Sequence, residues 1–464
     1  MRAYSRSRLS QDEEPAARDG ALDRLLDFYQ HAAQLADRSL ARLEPAYLPR
    51  AARPPRHLPA LDTRELADAW MGAELGNLTA AVELSVTRRR PTHAVALPAA
   101  MHEYLRDRGH RHLAADLQRT AAEAARRLGD KPGRAAAFAN LGIMGWVGAD
   151  YTGAAANLRR ALRAYRELGD LRGQALARNN LGTALVQTGE FPRGIREHEK
   201  ALELYQELDD PRGCALARNN LGIGLSQIAD YDGAIRAYEQ ALEQHRALGE
   251  LRGQATTLNN LGTALWDIGD VSGTVDALSR ALELYSRLGD PQGQGMTLNN
   301  LGCAWTRRGD YAAAEEAHKQ ALEKLSGLGD RQGQAQALDS LGTLRRATRD
   351  HRGAIDAYEQ AIALFRQIGD RSNEAGAHNH CAAAFVALGD PARAREHHGL
   401  ALTLARRIAS PNVEADALAG LGEIASAEGA ALEGAGLLRQ ALEIYRRIGV
   451  PDAERIETRL AELD

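Results

Sequence analysis

The tetrapeptide Asn-Asn-Leu-Gly recurs at intervals of 40 residues and decides the fold; its copies stand at 179–182, 219–222, 259–262 and 299–302. Related tetrapeptides extend the same register in both directions, at 139–142, 339–342, 379–382 and 419–422. Self-similarity at a constant period of this length is typical of a repeat array, in which each repeat is one supersecondary unit. The chain is therefore predicted to be an array of similar units and not a set of separate globular domains.

Each 40-residue unit contains two helical stretches separated by short breaks. Leu-Gly-Asp or a close variant ends most units, as at 168–170, and a second break falls midway, as at 189–191. Glycine adopts the left-handed conformation that stops a helix, and Asp can cap the helix that follows. Between the breaks, apolar residues follow helical spacing, as Leu258, Leu261 and Leu265 do. Each unit is thus predicted to be a helical hairpin that buries its apolar stripe against its neighbours.

Composition and charge exclude several classes of protein. Aromatic residues make up only 5% of the chain while hydrophobic residues make up 44%, as in packed helices that cross closely. A net charge of -4 provides no overall basic field, so direct nucleic-acid binding is not expected. Cys214, Cys303 and Cys381 lie far apart without a C-x-x-C pair. Neither a signal peptide nor a run of about 18 apolar residues occurs, so a soluble cytoplasmic protein without a membrane segment is expected.

The unit around Leu221-Gly222 continues with an aromatic residue after its mid-unit break and with further residues at fixed offsets, namely Tyr231, Ala234, Tyr238 and Ala241. This order resembles the tetratricopeptide repeat in its 40-residue form and is similar to the repeats of kinesin light chain and Leu-Gly-Asn repeat proteins. The resemblance implies an all-α, right-handed superhelical solenoid. Eight units are predicted over 131–450, with a degenerate unit over 91–130 and a C-terminal capping helix over 451–464. The solenoid would then contain about nine hairpins.

The first ninety residues lie outside the repeat register. We expect a polar, flexible N-terminus over 1–20 and a helical adaptor over 21–90 that includes a Pro-rich connector at 44–59. The segments around Phe28 and Trp70 resemble the region that joins the nucleotide-binding core to the repeats in bacterial STAND regulators of the NB-ARC class. The resemblance implies a possible upstream NB-ARC-type ATPase as partner and a chain that is the sensor half, free-standing or part of a longer product. No G-x-x-x-x-G-K-[ST] motif occurs, so no ATP site and no other cofactor is predicted.

Polar residues recur on the face of each first helix that lies opposite its apolar stripe. The resemblance implies that this face lines a concave groove, where an Asn amide can both donate and accept and so read a peptide main chain. The alternative is that these Asn residues bond neighbouring helices or water. The predicted groove residues are Asn140, Asn180, Thr183, Gln187, Asn220, Gln227, Asn260, Thr263, Trp266, Asp267, Asn300 and Arg307.

No catalytic or metal site is predicted. Four histidines crowd one unit, namely His378, His380, His397 and His398. Their spacings do not place ligands on one helical face, so surface histidines are a better interpretation than a metal site. Scattered Ser, Cys and His residues show no spacing typical of a catalytic triad, although such a triad need not be visible in sequence.

The predicted function is binding of a peptide or protein segment in the concave groove. The chain would be a scaffold, the sensing or interaction arm of a signalling or transcriptional regulatory system. One alternative is a small-molecule sensor that uses the same groove, and a third class is an enzyme with a dispersed site. A deep, enclosed, apolar pocket would favour the metabolite, whereas an open polar trough would favour a peptide.

Overall fold

The computed structural model describes residues 14–40, 55–448, 450 and 452–463, and all regular secondary structure in these residues is α-helical. The all-α class and the repeated helical hairpins are confirmed. We number the helices α1 Pro15–Leu40, α2 Arg64–Thr87, α3 Pro91–Ala100, α4 His102–Asp107, α5 Arg111–Leu128, α6 Lys131–Val147, α7 Tyr151–Leu168, α8 Leu171–Gln187, α9 Phe191–Glu207, α10 Pro211–Gln227, α11 Tyr231–Ala247, α12 Leu251–Asp267, α13 Val271–Arg287, α14 Pro291–Arg308, α15 Tyr311–Gly327, α16 Arg331–Ala347, α17 His351–Ile368, α18 Arg371–Leu388, α19 Pro391–Ile408, α20 Pro411–Ala427, α21 Ala431–Ile448 and α22 Asp452–Leu463.

Two compact units make up the chain, Met1–Gln244 and His245–Asp464, and the division falls within α11. In unit 1 the helices pack as consecutive hairpins α6/α7 and α8/α9, and in unit 2 as α12/α13, α14/α15, α16/α17, α18/α19 and α20/α21. Each second helix also packs against the first helix of the next hairpin within its unit, as α7 does against α8. Each apolar stripe is therefore buried between neighbouring hairpins, as expected for a repeat array.

Aspartates cap the helices in the manner that the breaks in the sequence predict. Asp170 Oδ1 accepts a hydrogen bond from the Gly173 backbone N–H at 2.8 Å, which satisfies one of the free donors at the start of α8. The preceding helix ends at Gly169, whose φ of 68° is left-handed. The same Asp-to-Gly cap recurs at Asp130, Asp150, Asp210, Asp230, Asp270, Asp290, Asp330 and Asp350. These bonds fix the starting residue of each of these helices.

One repeat position supplies a large part of the core in both units. It is occupied by buried aromatic side chains at Tyr165 and Tyr205 in unit 1, and at Tyr285, Phe365 and Tyr445 in unit 2. The Tyr205 ring lies where a Cβ on Gly213 would stand, 2.2 Å from the nearest ring atom. Glycine at this position lets the first turn of α10 approach the ring of the preceding helix, and Gly173 and Gly293 approach Tyr165 and Tyr285 in the same way.

The N-terminal helices share one apolar core with the first hairpins. Leu26, Met71 and Leu97 are fully buried in it, and Met144 of α6 joins the same cluster. Polar contacts fix α1 to the helices after it, because His93 Nε2 lies 3.0 Å from Asp27 Oδ1. None of the described helices is long and apolar enough to cross a membrane.

Some helices begin or end at residues other than those that the sequence predicted. α1 begins at Pro15, within the segment 1–20 that was expected to be flexible, because Pro suits the first position of a helix and Ala16 and Ala17 favour helix formation. Residues 1–13 of that segment and residues 44–54 of the Pro-rich connector lie outside the described residues. In the segment 91–130 the first helix is divided at Met101 into α3 and α4. Pro98 lacks a backbone donor and so weakens the helix just before this division.

Candidate binding face

The first helices of successive hairpins lie side by side within each unit. In unit 1 α6 contacts α8 and α8 contacts α10. In unit 2 the corresponding contacts join α12 to α14, α14 to α16, α16 to α18 and α18 to α20. A side chain that points away from its hairpin partner therefore lies near the equivalent side chain of the next first helix.

The second Asn of each pair points away from the hairpin partner. A Cβ on Gly182 would stand 2.7 Å from the His198 ring of α9, so Gly182 faces that partner helix. Asn180 precedes Gly182 by two residues, which places it about 200° around α8. Asn180 is half-buried, as are Asn140 and Asn220. We call this surface of α6, α8 and α10 in unit 1, and of α12 and α14 in unit 2, the first-helix face.

Two of the predicted groove amides hydrogen-bond to a neighbouring first helix. Asn220 Nδ2 donates to Asn179 Oδ1 at 3.2 Å in unit 1. Asn300 Nδ2 donates to Asn259 Oδ1 at 3.4 Å in unit 2. The two residues of each bond are 41 positions apart, which is the 40-residue repeat plus one. The second Asn of one repeat therefore bonds to the first Asn of the preceding repeat. Asn220 and Asn300 therefore bond neighbouring helices, which is the alternative to ligand binding given for the Asn residues in the sequence analysis.

Asn140 and Asn180 differ from Asn220 in this respect. Ala139 stands where Asn179 stands one repeat later, so α6 offers Asn180 no side-chain acceptor at that step. Within the part of the chain that the structure describes, the side chains of Asn140 and Asn180 have no hydrogen-bond partner. The first-helix face of unit 1 thus presents half-buried amides whose donors and acceptors are available to a ligand.

The remaining predicted groove residues of unit 1 are less suited to bind a ligand than Asn140 and Asn180. Thr183 Oγ1 donates to the Asn179 carbonyl oxygen at 3.2 Å, so this hydroxyl uses its hydrogen within its own helix. Gln187 and Gln227 are exposed near the ends of α8 and α10. They can contact a ligand only at the border of the face.

In unit 2 the structure brings Trp266 and Arg307 together. The Arg307 guanidinium carbon lies 4.8 Å from the centre of the Trp266 ring. Arg307 Nη1 also donates to the Trp266 carbonyl oxygen at 3.3 Å. Trp266 is half-buried and Asp267 beside it is exposed, while Thr263 Oγ1 donates to the Asn259 carbonyl oxygen at 3.1 Å. This cation–π pair forms an amphipathic surface at the end of α12.

The sequence interpretation overlooked a histidine that bonds to the first Asn of the pair. His198 Nδ1 lies 3.0 Å from Asn179 Oδ1, the atom that also accepts from Asn220. The same bond, 19 residues apart in sequence, recurs at His318–Asn299 and His398–Asn379. Burial lowers the pKa of each of these histidines to about 4, so each is neutral at ordinary pH. The spacing of 19 residues between Asn and His could have revealed this bond.

The four clustered histidines do not converge on one point. His378 Nδ1 lies 3.0 Å from His397 Nδ1, His380 Nδ1 lies 3.0 Å from Asp339 Oδ1, and His398 bonds to Asn379. Burial and the proximity of His397 lower the pKa of His378 to about 4. Among the described residues, no group of three or more His, Cys, Asp or Glu side chains is placed to share a metal ion.

Comparison with known proteins defines the class of the repeats. Residues 173–247, 253–326 and 306–367 match the tetratricopeptide repeat family model. The chain therefore contains tetratricopeptide repeats. No significant match to a curated protein sequence was found.

Three solved structures show the same kind of fold as this chain. The Rap conjugation gene regulator of the plasmid pLS20, solved with the Phr* peptide, is 14% identical, with a TM-score of 0.53 over 72% of this chain and 96% of that one. A STAND protein with a tetratricopeptide repeat sensor from Pyrococcus horikoshii is 14% identical, with a TM-score of 0.52 over 75% of this chain and 55% of that one. The apo form of RapI is 14% identical, with a TM-score of 0.51 over 59% of this chain and 97% of that one. At this identity the likeness concerns the fold alone.

Proposed function

We propose that this protein binds an extended peptide or protein segment on the first-helix face of unit 1, without catalysis. The observation that carries the proposal is the contrast between Asn220, whose amide is bonded to Asn179, and Asn140 and Asn180, whose amides have no partner in the described residues. An amide that is half-buried and unpaired loses hydrogen bonds to water without regaining them in the protein. A ligand main chain supplies both the donor and the acceptor that each amide lacks.

The peptide class follows from the chemistry and spacing of this face. Asn140 and Asn180 occupy equivalent positions on adjacent helices, and main-chain groups recur along an extended segment at a regular interval. Amides read such a main chain without demanding one particular side chain. The Phr* peptide complex of the pLS20 regulator, whose fold is similar, supports a peptide as the ligand.

A regulatory role is the second part of the proposal. We infer that peptide binding serves as the sensing or interaction arm of a signalling or transcriptional system, with an NB-ARC-type ATPase as the upstream partner. The similarity of fold to a STAND protein that has a tetratricopeptide repeat sensor supports this inference. The predicted groove residues of unit 2, Trp266 and Arg307 among them, would contribute an aromatic and cationic contact to a protein partner.

The test is selection of ligands from a random peptide library on the immobilised full chain, followed by calorimetry. We expect the selected peptides to bind the Asn140→Ala/Asn180→Ala variant at least tenfold more weakly, because each amide contributes about 0.5–1.5 kcal/mol per hydrogen bond. The matched control is Asn412→Ala, which removes an exposed amide in the first turn of α20. Failure to select any peptide, or equal affinity for the double variant and the wild type, would contradict the proposal.

A further inference from the structure

A cationic cavity of about 320 Å³ lies between α5, α6 and α7 of unit 1. Ligand sites in proteins have volumes of roughly 300 Å³ and more, so the cavity can hold a small molecule. Its lining residues are Arg119, Ala122, Glu123 and Arg126 of α5, Arg134, Phe138 and Leu141 of α6, and Asn157 and Arg160 of α7.

This cavity lies on a different surface from the amides of the proposed peptide site. Phe138 precedes Asn140 by two residues, which places the two side chains about 200° apart around α6. Phe138 therefore faces α5 and α7 while Asn140 points away from them. Ligand binding in the cavity does not depend on the proposed peptide binding.

The lining carries a strong positive charge in a chain whose net charge is negative. Four arginines and one glutamate give the lining a formal charge of +3, against -4 for the whole chain, and Asp116 outside the lining pairs with one of these arginines, Arg119. The Glu123 carboxylate is paired within α5, since it accepts hydrogen bonds from Arg126 Nε at 2.8 Å and from Arg127 Nε at 2.9 Å. These bonds hold the pKa of Glu123 well below its usual range, at about 2, so the carboxylate stays ionised and paired.

Arg134 and Arg160 have no carboxylate partner in the described residues. Their guanidinium carbons lie 5.5 Å and 5.7 Å from the centre of the Phe138 ring. The aromatic ring orients both groups by cation–π attraction but accepts none of their strong hydrogen bonds. Two guanidiniums are thus held at one cavity with their donors free, which is the arrangement that binds a phosphate or carboxylate in bidentate fashion.

At three other places in the array, side chains at equivalent positions form ion pairs within the chain. Glu374 takes the place of Arg134 in a later hairpin, and its Oε1 lies 2.8 Å from Arg366 Nε, the counterpart of Arg126. Glu414 repeats this arrangement one hairpin further on, with its Oε1 2.8 Å from Arg406 Nε. In the hairpin after α6/α7, Arg178 stands in the place of Phe138 and pairs at 2.6 Å with Glu197, which stands in the place of Asn157. The α5/α6/α7 cavity therefore lacks the anion that the chain supplies at these other positions.

We propose that this cavity is a binding site for a small ligand that carries phosphate or carboxylate groups. Arg134 and Arg160 bind its oxyanion, and the apolar part of the ligand contacts Phe138 and Leu141. Arg119 and Arg126 are paired with Asp116 and Glu123, so the two unpaired arginines carry the proposal. The missing counter-charge of this hairpin is then provided by the ligand.

The experiment measures thermal stabilisation and calorimetric affinity of the full chain with inorganic phosphate and with citrate, against sodium chloride at matched ionic strength. The variant is Arg134→Gln/Arg160→Gln. Gln already stands in the place of Arg134 at Gln174, Gln254, Gln294 and Gln334, and in the place of Arg160 at Gln240, Gln320, Gln360 and Gln440, so the variant is expected to fold. The control is Arg159→Gln/Arg163→Gln, which removes the same charge from exposed positions of α7 outside the lining.

We expect millimolar or tighter binding of at least one anion, a loss of at least tenfold in affinity in Arg134→Gln/Arg160→Gln, and little change in the control. Binding of phosphate but not citrate would identify a phosphorylated ligand, and the reverse would identify a carboxylate. Absence of stabilisation by both anions beyond that of sodium chloride would overturn the proposal. Equal losses in the two variants would also overturn it, because the effect would then come from net charge and not from the cavity.

Discussion

At the scale of single residues, hydrogen bonds between buried polar side chains distinguish this array from one held by apolar packing alone. Asn179 is the clearest case, because its amide oxygen accepts from His198 within the hairpin and from Asn220 of the next first helix. Leu158 occupies the place of His198 in the preceding hairpin, so the polar pair is not required by the fold of the repeat. The sequence predicted the helical face of the Asn residues, but the choice of partner depends on how closely adjacent helices approach.

The buried histidines make stability depend on pH in a defined direction. His198, His318 and His398 have a folded-state pKa of about 4, below the value of about 6.5 for an exposed histidine. Because the folded pKa is lowered, their stabilising contribution is present above pH 6.5 and is lost as the pH falls from 6.5 towards 4. The loss is on the order of 3 kcal/mol per histidine at most.

We expect His198→Leu to flatten the fall in melting temperature between pH 6.5 and 4, because Leu is the residue that the chain itself uses at the equivalent positions 158, 278 and 438. Melting curves followed by circular dichroism across this range measure the effect. His112→Gln, at an exposed histidine of α5, is the control and should retain the slope of the wild type. A His198→Leu variant with an unchanged acid slope would show that His198 is not buried as a neutral side chain.

At the scale of helices, most of the described helices end beside one residue with a left-handed backbone. Glycine supplies it at Gly169 and Gly369, but α19 ends at Ala409 with a φ of 54°. A residue with a Cβ is disfavoured in this conformation by about 1 kcal/mol relative to glycine. The sequence predicted where the hairpins turn, because glycine and Asp mark the breaks. It did not predict the division of α3 from α4 at Met101, where the helix is weakened by the missing backbone donor of Pro98.

Replacement of Ala409 by glycine should therefore stabilise the protein by up to about 1 kcal/mol. Urea titration followed by circular dichroism reports the change in midpoint. The same substitution at Ala392, an exposed position in the first turn of α19, is the matched control and should destabilise by about 0.5–1 kcal/mol, since glycine is a poor helix former. Destabilisation by both substitutions would indicate that residue 409 does not adopt the left-handed conformation.

At the scale of the whole molecule, the 40-residue period predicted the architecture because most of the described hairpins repeat the same caps and buried positions. The bonds of Asn220 and Asn300, the pairing of Trp266 with Arg307 and the α5/α6/α7 cavity could not be predicted in the same way. Each of these features depends on side chains from helices that meet only after the hairpins stack. Each also depends on differences in sequence between individual 40-residue repeats, which the shared period does not reveal. Ala139 in place of an Asn is one such difference, and it leaves Asn180 available.

The most direct measurement compares the thermal melts of Asn140→Ala/Asn180→Ala and Asn220→Ala without any ligand. Asn220→Ala removes a hydrogen bond between helices and should lower stability by about 0.5–1.5 kcal/mol. The double variant removes no such bond, and alanine favours the helix by roughly 0.5 kcal/mol at each site, so its melting temperature should equal or exceed that of the wild type. A clear drop in the melting temperature of the double variant would show that these amides serve the fold, and would contradict their role in binding a peptide.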